Sequence, residues 1–166
     1  MTDLANSETK QKSFEDKLKY GKEWEDRFAQ WLIKKGWFVT PKYLFCEEGA
    51  PLLIGSEKSY AIPDIDAAKN GKRIWFECKR KKMMKKHFAT GYSEHLHNCY
   101  RNVQEITGDP VFVIFEDDEN RYDGKRYYGN YLDKLELNTY AREWFFEGKE
   151  HILFKYPEAF LPLDIE

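Results

Sequence analysis

A net charge of −2 spread over 166 residues excludes a protein that coats nucleic acid indiscriminately, because such proteins carry a strongly basic surface. The 12 Phe, 11 Tyr and 5 Trp supply apolar area for one core, which fits a chain of single-domain length. Three cysteines (Cys46, Cys78 and Cys99) without a Cys-x-x-Cys pair, no signal-peptide pattern and no apolar run near the ~20 residues that span a bilayer lead us to expect a cytoplasmic, non-membrane protein.

Residues 1–12 are polar and aperiodic, which predicts a disordered tail ahead of one domain over 13–166. Trp24, Phe28, Trp31 and Leu32 then recur at helical spacing up to Gly36, a natural C-terminal stop. Glu25 stands beside that stripe, in line with Ala29 and Leu32, and an acid so directed needs a partner. Trp37 to Phe45 alternates loosely as a strand, and Cys46 to Lys58, with Gly49, Pro51 and Gly55, reads as a loop.

The next segment carries the chemistry. Tyr60 to Ala67 and Arg73 to Arg80 read as strands joined by Asn70-Gly71, the pair favoured in a two-residue type I′ hairpin. That turn sets Lys69 against Lys72, and stepping outward sets Asp64 against Glu77, with Cβ atoms roughly 5 Å apart on one face. Lys79 shares the face, because residues two apart on a strand point the same way. Opposed carboxylates repel, and a divalent cation resolves the repulsion. One fixed Asp-to-Glu-x-Lys spacing arises by chance in about 0.04 chains of this length, and some fifteen allowed spacings bring that to about one half. The predicted strand, turn and strand around the residues are therefore what gives the pattern weight.

Eight Lys or Arg residues lie between Lys72 and His87, against one acid, Glu77. The run Arg80, Lys81, Lys82, Lys85 and Lys86 starts inside the candidate site, which favours a phosphate contact over a merely solvated face. Tyr92, Leu96, Cys99, Val103 and Ile106 predict a second helix closed by Gly108-Asp109-Pro110, with Met83-Met84 at a helix start or in a packing contact. His95, His97 and Cys99 do not make a zinc site at that spacing: His95 and Cys99 share a face with Leu96 and Val103, while His97 points away. Val111 to Phe115 is a continuous apolar run, as in a strand buried on both faces. Beyond the acidic Glu116 to Glu119, whose Asp118-to-Gly124 stretch lacks the spacing of a calcium loop, come a strand at Arg126 to Tyr131, a helix near Tyr140 to Phe146 and a short apolar stretch at Ile152 to Phe154. Tyr127, Tyr128 and Tyr131 are expected in the core rather than on unpaired bases.

The order α-β-β-β-α-β with Glu25, Ile62-Pro63-Asp64 and Phe76-Glu77-Cys78-Lys79 resembles the PD-(D/E)XK nuclease superfamily, over roughly residues 23–115. It is most similar to the archaeal Holliday junction resolvase branch, in which a first-helix glutamate precedes a glycine by eleven residues, as Glu25 precedes Gly36. The resemblance implies an α/β fold with a restriction-endonuclease-like αβββαβ core and a mixed central sheet flanked by helices; residues 116–166 match nothing in it and are expected to be a C-terminal decoration. It implies Mg²⁺-dependent hydrolysis of DNA phosphodiesters by Glu25, Asp64, Glu77 and Lys79, with structure-specific cleavage of branched DNA open to it.

Oxygen donors suit a hard cation, so Asp64, Glu77 and a strand carbonyl near Cys78 are the expected ligands, with Glu25 through water or on a second ion, Asp66 in reserve, and Mn²⁺ able to substitute. Lys79 would orient or deprotonate the attacking water. A homodimer is compatible with all of this. The competing reading is a catalytically silent nucleic-acid-binding protein on the same fold.

Overall fold

A computed structural model describes residues 2–41, 51–120 and 124–165, with side chains from Glu15 onward and excluding Pro41. Cys46, the Phe45 end of the first predicted strand, the start of the Cys46–Lys58 loop and residues 121–123 lie outside the described residues.

Helix α1 runs Thr2–Lys34, so helical backbone covers residues 2–12 of the segment for which the sequence predicts a tail. Gly36, at φ 83°, ends it in the left-handed region that glycine enters without steric cost. The main sheet follows, built from β1 (Phe38–Pro41), β4 (Ile65–Lys69), β5 (Lys72–Arg80), β7 (Val111–Glu116), β8 (Tyr127–Tyr131) and β11 (Leu161–Pro162), in the order β1-β4-β5-β7-β8-β11. Among the described residues only β5 and β7 pair in parallel, joined through helix α2 (Glu94–Thr107), so the sheet is mixed. The expected α/β class and αβββαβ order hold, with two insertions: a hairpin of β2 (Leu52–Ile54) with β3 (Ser59–Ala61), and strand β6 (Ala89–Ser93).

Alternation along the strands divides the core in two. Ile65, Ala67, Ile74, Phe76, Cys78, Phe112 and Ile114 bury against Trp24, Phe28 and Leu32 of α1. Trp75, Val111, Val113 and Phe115 point the other way, toward Tyr100 and Val103 of α2. Every residue of β7 is buried, as its unbroken apolar run requires.

The C-terminal decoration departs from expectation. Tyr140 to Phe146, predicted as a helix, is instead strand β9 (Thr139–Phe146), and the nearby helix is the short α3 (Leu132–Leu137). β9 turns at Glu147-Gly148, both with positive φ (48° and 77°), into β10 (Lys149–Lys155), pairing Phe146 with Lys149 and Trp144 with His151. Tight turns of this hand need left-handed residues at both central positions. Pairing with β10 overrode the helix-like spacing of the β9 aromatics, and a bulge near Tyr140 hides their alternation. β10 also pairs with β6 to give the separate sheet β6-β10-β9, whose Tyr92, Ile152 and Phe154 enter the α2-side core. Tyr92, predicted in the second helix, is thus a strand residue. β6 and β10 pass so closely that a Cβ on Gly91 would lie 1.8 Å from the Ile152 carbonyl oxygen.

Candidate functional site

Asn70 and Gly71 adopt φ 52° and 74°, and β4 pairs with β5 from Lys69↔Lys72 out to Ile65↔Phe76. One step further the expected Asp64–Glu77 opposition falls at the point where the ladder stops. Ile62-Pro63-Asp64 is a break between β3 and β4, since proline cannot donate to a ladder. Trp75 N–H donates to Pro110 and Lys81 N–H to Glu116, which fixes the odd-numbered residues of β5 as those bonded to β7. Cys78 N–H and C=O therefore face the β4 side. There the N–H donates to Asp64 Oδ2 at 2.9 Å, and the Asp64 side chain substitutes for the missing strand.

Glu77 is 2% exposed; its Oε1 accepts from Lys79 Nζ, while its buried Oε2 has no hydrogen-bond partner. The Lys79 ammonium also sits 5.7 Å from the centre of the Tyr92 ring. The electrostatics tie Glu25 into this group from α1. Burial, then the Glu77 charge, push the Glu25 carboxyl up to about 7, with Lys79 pulling the other way. Burial and then Glu77 and Glu25 raise Asp64 well above the usual carboxylate range. Burial alone would discharge Lys79, but Glu77 and Asp64 outweigh it and hold the ammonium above its ordinary range. Lys79 is thus held as an ammonium in the metal-free protein.

The repulsion has a measurable consequence at Glu25. Its folded pKa is raised above the unfolded value, so ionisation is penalised in the fold and the associated stability falls as pH climbs from about 4.5 to about 7. Glu25→Gln removes the penalty. The variant should melt with wild type at pH 4.5 and above it at pH 8, in metal-free buffer monitored by circular dichroism. Equal melting at both pH values would mean that Glu25 does not feel the cluster.

Among the described residues no three His, Cys, Asp or Glu side chains converge as a ready-made cation site. The donors still suit a magnesium-type ion, which takes one or two carboxylates and fills its remaining positions with water and substrate phosphate. Asp64, Glu77 with its orphaned Oε2, and the Cys78 carbonyl offer oxygen only. The Cys78 thiol is packed in the α1-side core.

Other expected positions sort as follows. Asp66 is held by a two-pronged ion pair with Arg73 (2.8 and 2.7 Å), which also reaches Asp109. Arg80 is engaged rather than free: its Nε lies 2.6 Å from Glu116 and its guanidinium over the Tyr20 ring. Lys82 pairs with Glu119, Lys81 is half-buried, and Lys85 and Lys86 are exposed. Met83 is fully buried, and Tyr128 is in the core while Tyr131 is 39% exposed. His95 and Cys99 do share a face, with Nε2 and Sγ 3.8 Å apart, but the expected burial is reversed: His97 is fully buried and His95 exposed, because α2 presents His97, Tyr100 and Val103 to the core. His97 lies 2.8 Å from the Tyr92 hydroxyl through Nδ1 and 2.8 Å from Glu136 through Nε2.

Two site residues escape sequence reasoning. Tyr92 and Tyr100 wall the cluster from β6 and α2, and burial followed by the Glu77 charge holds both phenols protonated. Tyr92 looked helical, and nothing local links Tyr100 to an acid 23 positions earlier.

No family model matches the sequence, and no curated protein matches it either. Among solved structures, the fold is similar to that of Hjc, a Holliday junction resolvase from the archaeal hyperthermophile Archaeoglobus fulgidus. The two share a TM-score of 0.54 and 15% identity over 84% of this chain and 91% of that one. At that identity the likeness concerns the fold. No helix among the described residues is long and apolar enough to cross a membrane.

Proposed function

We propose that this protein is a Mg²⁺-dependent deoxyribonuclease of the PD-(D/E)XK type that hydrolyses phosphodiester bonds at the cluster of Asp64, Glu77, Lys79 and Glu25. The supporting observation is the meeting of Asp64, Glu77 and Lys79 where the β4–β5 ladder opens, within a fold similar to that of a resolvase. Branched DNA is the proposed substrate class, by analogy with that neighbour.

A bound magnesium or manganese ion, held by Asp64, Glu77 and the Cys78 carbonyl, would offset phosphate charge and acidify a water. The protein's part is positional. Lys79 donates toward the water and the phosphate, Glu25 holds a proton or a water, and Tyr92 with Tyr100 keeps bulk solvent from the buried side. Lys81, Lys82, Lys85 and Lys86 would hold flanking phosphates without reading bases.

Labelled four-way junctions, flaps, linear duplexes and single strands of DNA and RNA, each incubated with Mg²⁺, test the reading directly. Cleavage of a DNA form that is lost in Asp64→Asn is the expected result. In parallel, calorimetric titration should show Mg²⁺ binding to wild type and not to Asp64→Asn, with about 2.7 kcal/mol of added stability at a hundredfold excess over Kd. Binding of DNA with no cleavage of any form and no metal heat would instead favour the silent binder.

A further inference from the structure

The outer face of the β6-β10-β9 sheet, opposite its Tyr92, Ile152 and Phe154 face, carries a row of rings. Trp144 and His151 are cross-strand partners and so project to one side, as do Phe146 and Lys149. The His87 ring stands against Trp144 at 5.1 Å and against Tyr140 at 5.9 Å, and Phe146 meets His151 edge-on at 5.8 Å. Tyr140 is 40% exposed and Phe146 51% exposed, and with Trp144 they form a contiguous aromatic patch of the kind that marks an interaction site.

Four lysines border the row, with one acid, Glu147, at the hairpin tip beside Phe146. Lys85 and Lys86 lie on the loop that presents His87, Lys149 pairs with Phe146, and Lys155 pairs with Ala89 on the same face; all four lysines are exposed. The sheet that carries the row also reaches the proposed catalytic cluster, since Tyr92 of β6 has its ring centre 5.7 Å from Lys79 Nζ.

We infer that this face is a stacking platform for unpaired nucleotides, with Tyr140, Trp144 and Phe146 receiving bases and the bordering lysines receiving phosphates. The inference rests on the nuclease reading and refines its substrate: a nucleic acid with a single-stranded segment adjoining the scissile phosphate. Rings in a row with cations on the border suit a base-and-phosphate polymer better than an apolar partner, which would leave the lysines unmatched.

The test uses fluorescence anisotropy of the full chain in EDTA, with a labelled 20-nucleotide oligothymidylate and a blunt 20-base-pair duplex. A Tyr140→Ala, Phe146→Ala variant should lose roughly tenfold or more in affinity for the single strand, and stay within about twofold of wild type on the duplex. If that variant melts early, Tyr140→Leu, Phe146→Leu keeps the apolar bulk, removes the rings and should show the same selective loss. Unchanged affinity for the single strand, or equal loss on both probes, overturns the platform while leaving the nuclease reading intact. So does a variant that sediments as a smaller species than wild type with single-strand affinity intact, which would make the face a contact between copies. Wild type that does not bind the single strand also overturns the platform, whereas the nuclease reading is decided separately by cleavage of the DNA panel in Mg²⁺.

Discussion

Replacing Lys79 with alanine is expected to leave DNA bound and uncut. The side chain is 18% exposed, its Nζ is donated to Glu77, and the carboxylates keep it charged, so what the substitution removes is a positioned cation. Loss of one such electrostatic stabiliser typically slows the chemical step by ~10²–10³, about 2.7–4 kcal/mol of transition-state energy. The proposed phosphate contacts of Lys81, Lys82, Lys85 and Lys86 are untouched, so affinity should hold within a few-fold. Glu77→Gln should be at least as severe, because it weakens a proposed metal ligand directly. Single-turnover cleavage with saturating protein and Mg²⁺ isolates the step, and anisotropy in Ca²⁺ or EDTA reports binding. A variant that cuts as fast as wild type removes Lys79 from the mechanism even if the enzyme class stands.

Much of this arrangement was legible because the turn is local. Asn70-Gly71 fixes the register by backbone sterics alone, so counting outward reaches Asp64 and Glu77 without tertiary information. The buried β7 run and the Trp24–Leu32 stripe were legible for the same reason: periodicity reports which face is buried. What counting could not show is that the ladder stops at Ile65, leaving Asp64 to cap the Cys78 N–H. Non-local pairing accounts for the remaining misses. β9 became a strand because β10 was available to pair with it, and a Glu-Gly turn lacks the signature that made Asn-Gly readable. His97 was assigned outward because Tyr92 was taken as part of the helix, which rotated the inferred apolar face.

The acidic segment after β7 is the clearest case of long-range pairing, and it carries the largest expected effect on stability. Sequence shows segregated charge: a basic run, then Glu116 to Glu119. In the fold Glu116 is buried and collects three arginines, from α1, from β5 and from the segment just before β8. Arg27 of α1 grips both carboxylate oxygens at 2.8 and 2.9 Å, Arg126 donates to Oε1, and Arg80 at the end of β5 lies 2.6 Å from Oε2. Asp117, also buried, accepts from the Met83 N–H and fixes the exit of the basic run. The group therefore clamps α1 against the sheet two residues from Glu25 and one residue from Lys79. Breaking a buried ion pair by removing one partner strands the other charge and costs about 3–5 kcal/mol. Arg27 and Arg126 are about two-fifths exposed and can turn to water, whereas Arg80 is 13% exposed and cannot. Glu116→Ala should then cost about 3 kcal/mol, near the lower end of that range, or roughly 6–12 °C in Tm for a chain of this size. Arg126→Ala should cost well under half as much, since that pair is half in water. Urea unfolding of both variants tests the difference. A Glu116→Ala loss below about 1 kcal/mol would place it among surface ion pairs and remove the clamp as the reason α1 keeps Glu25 beside Glu77.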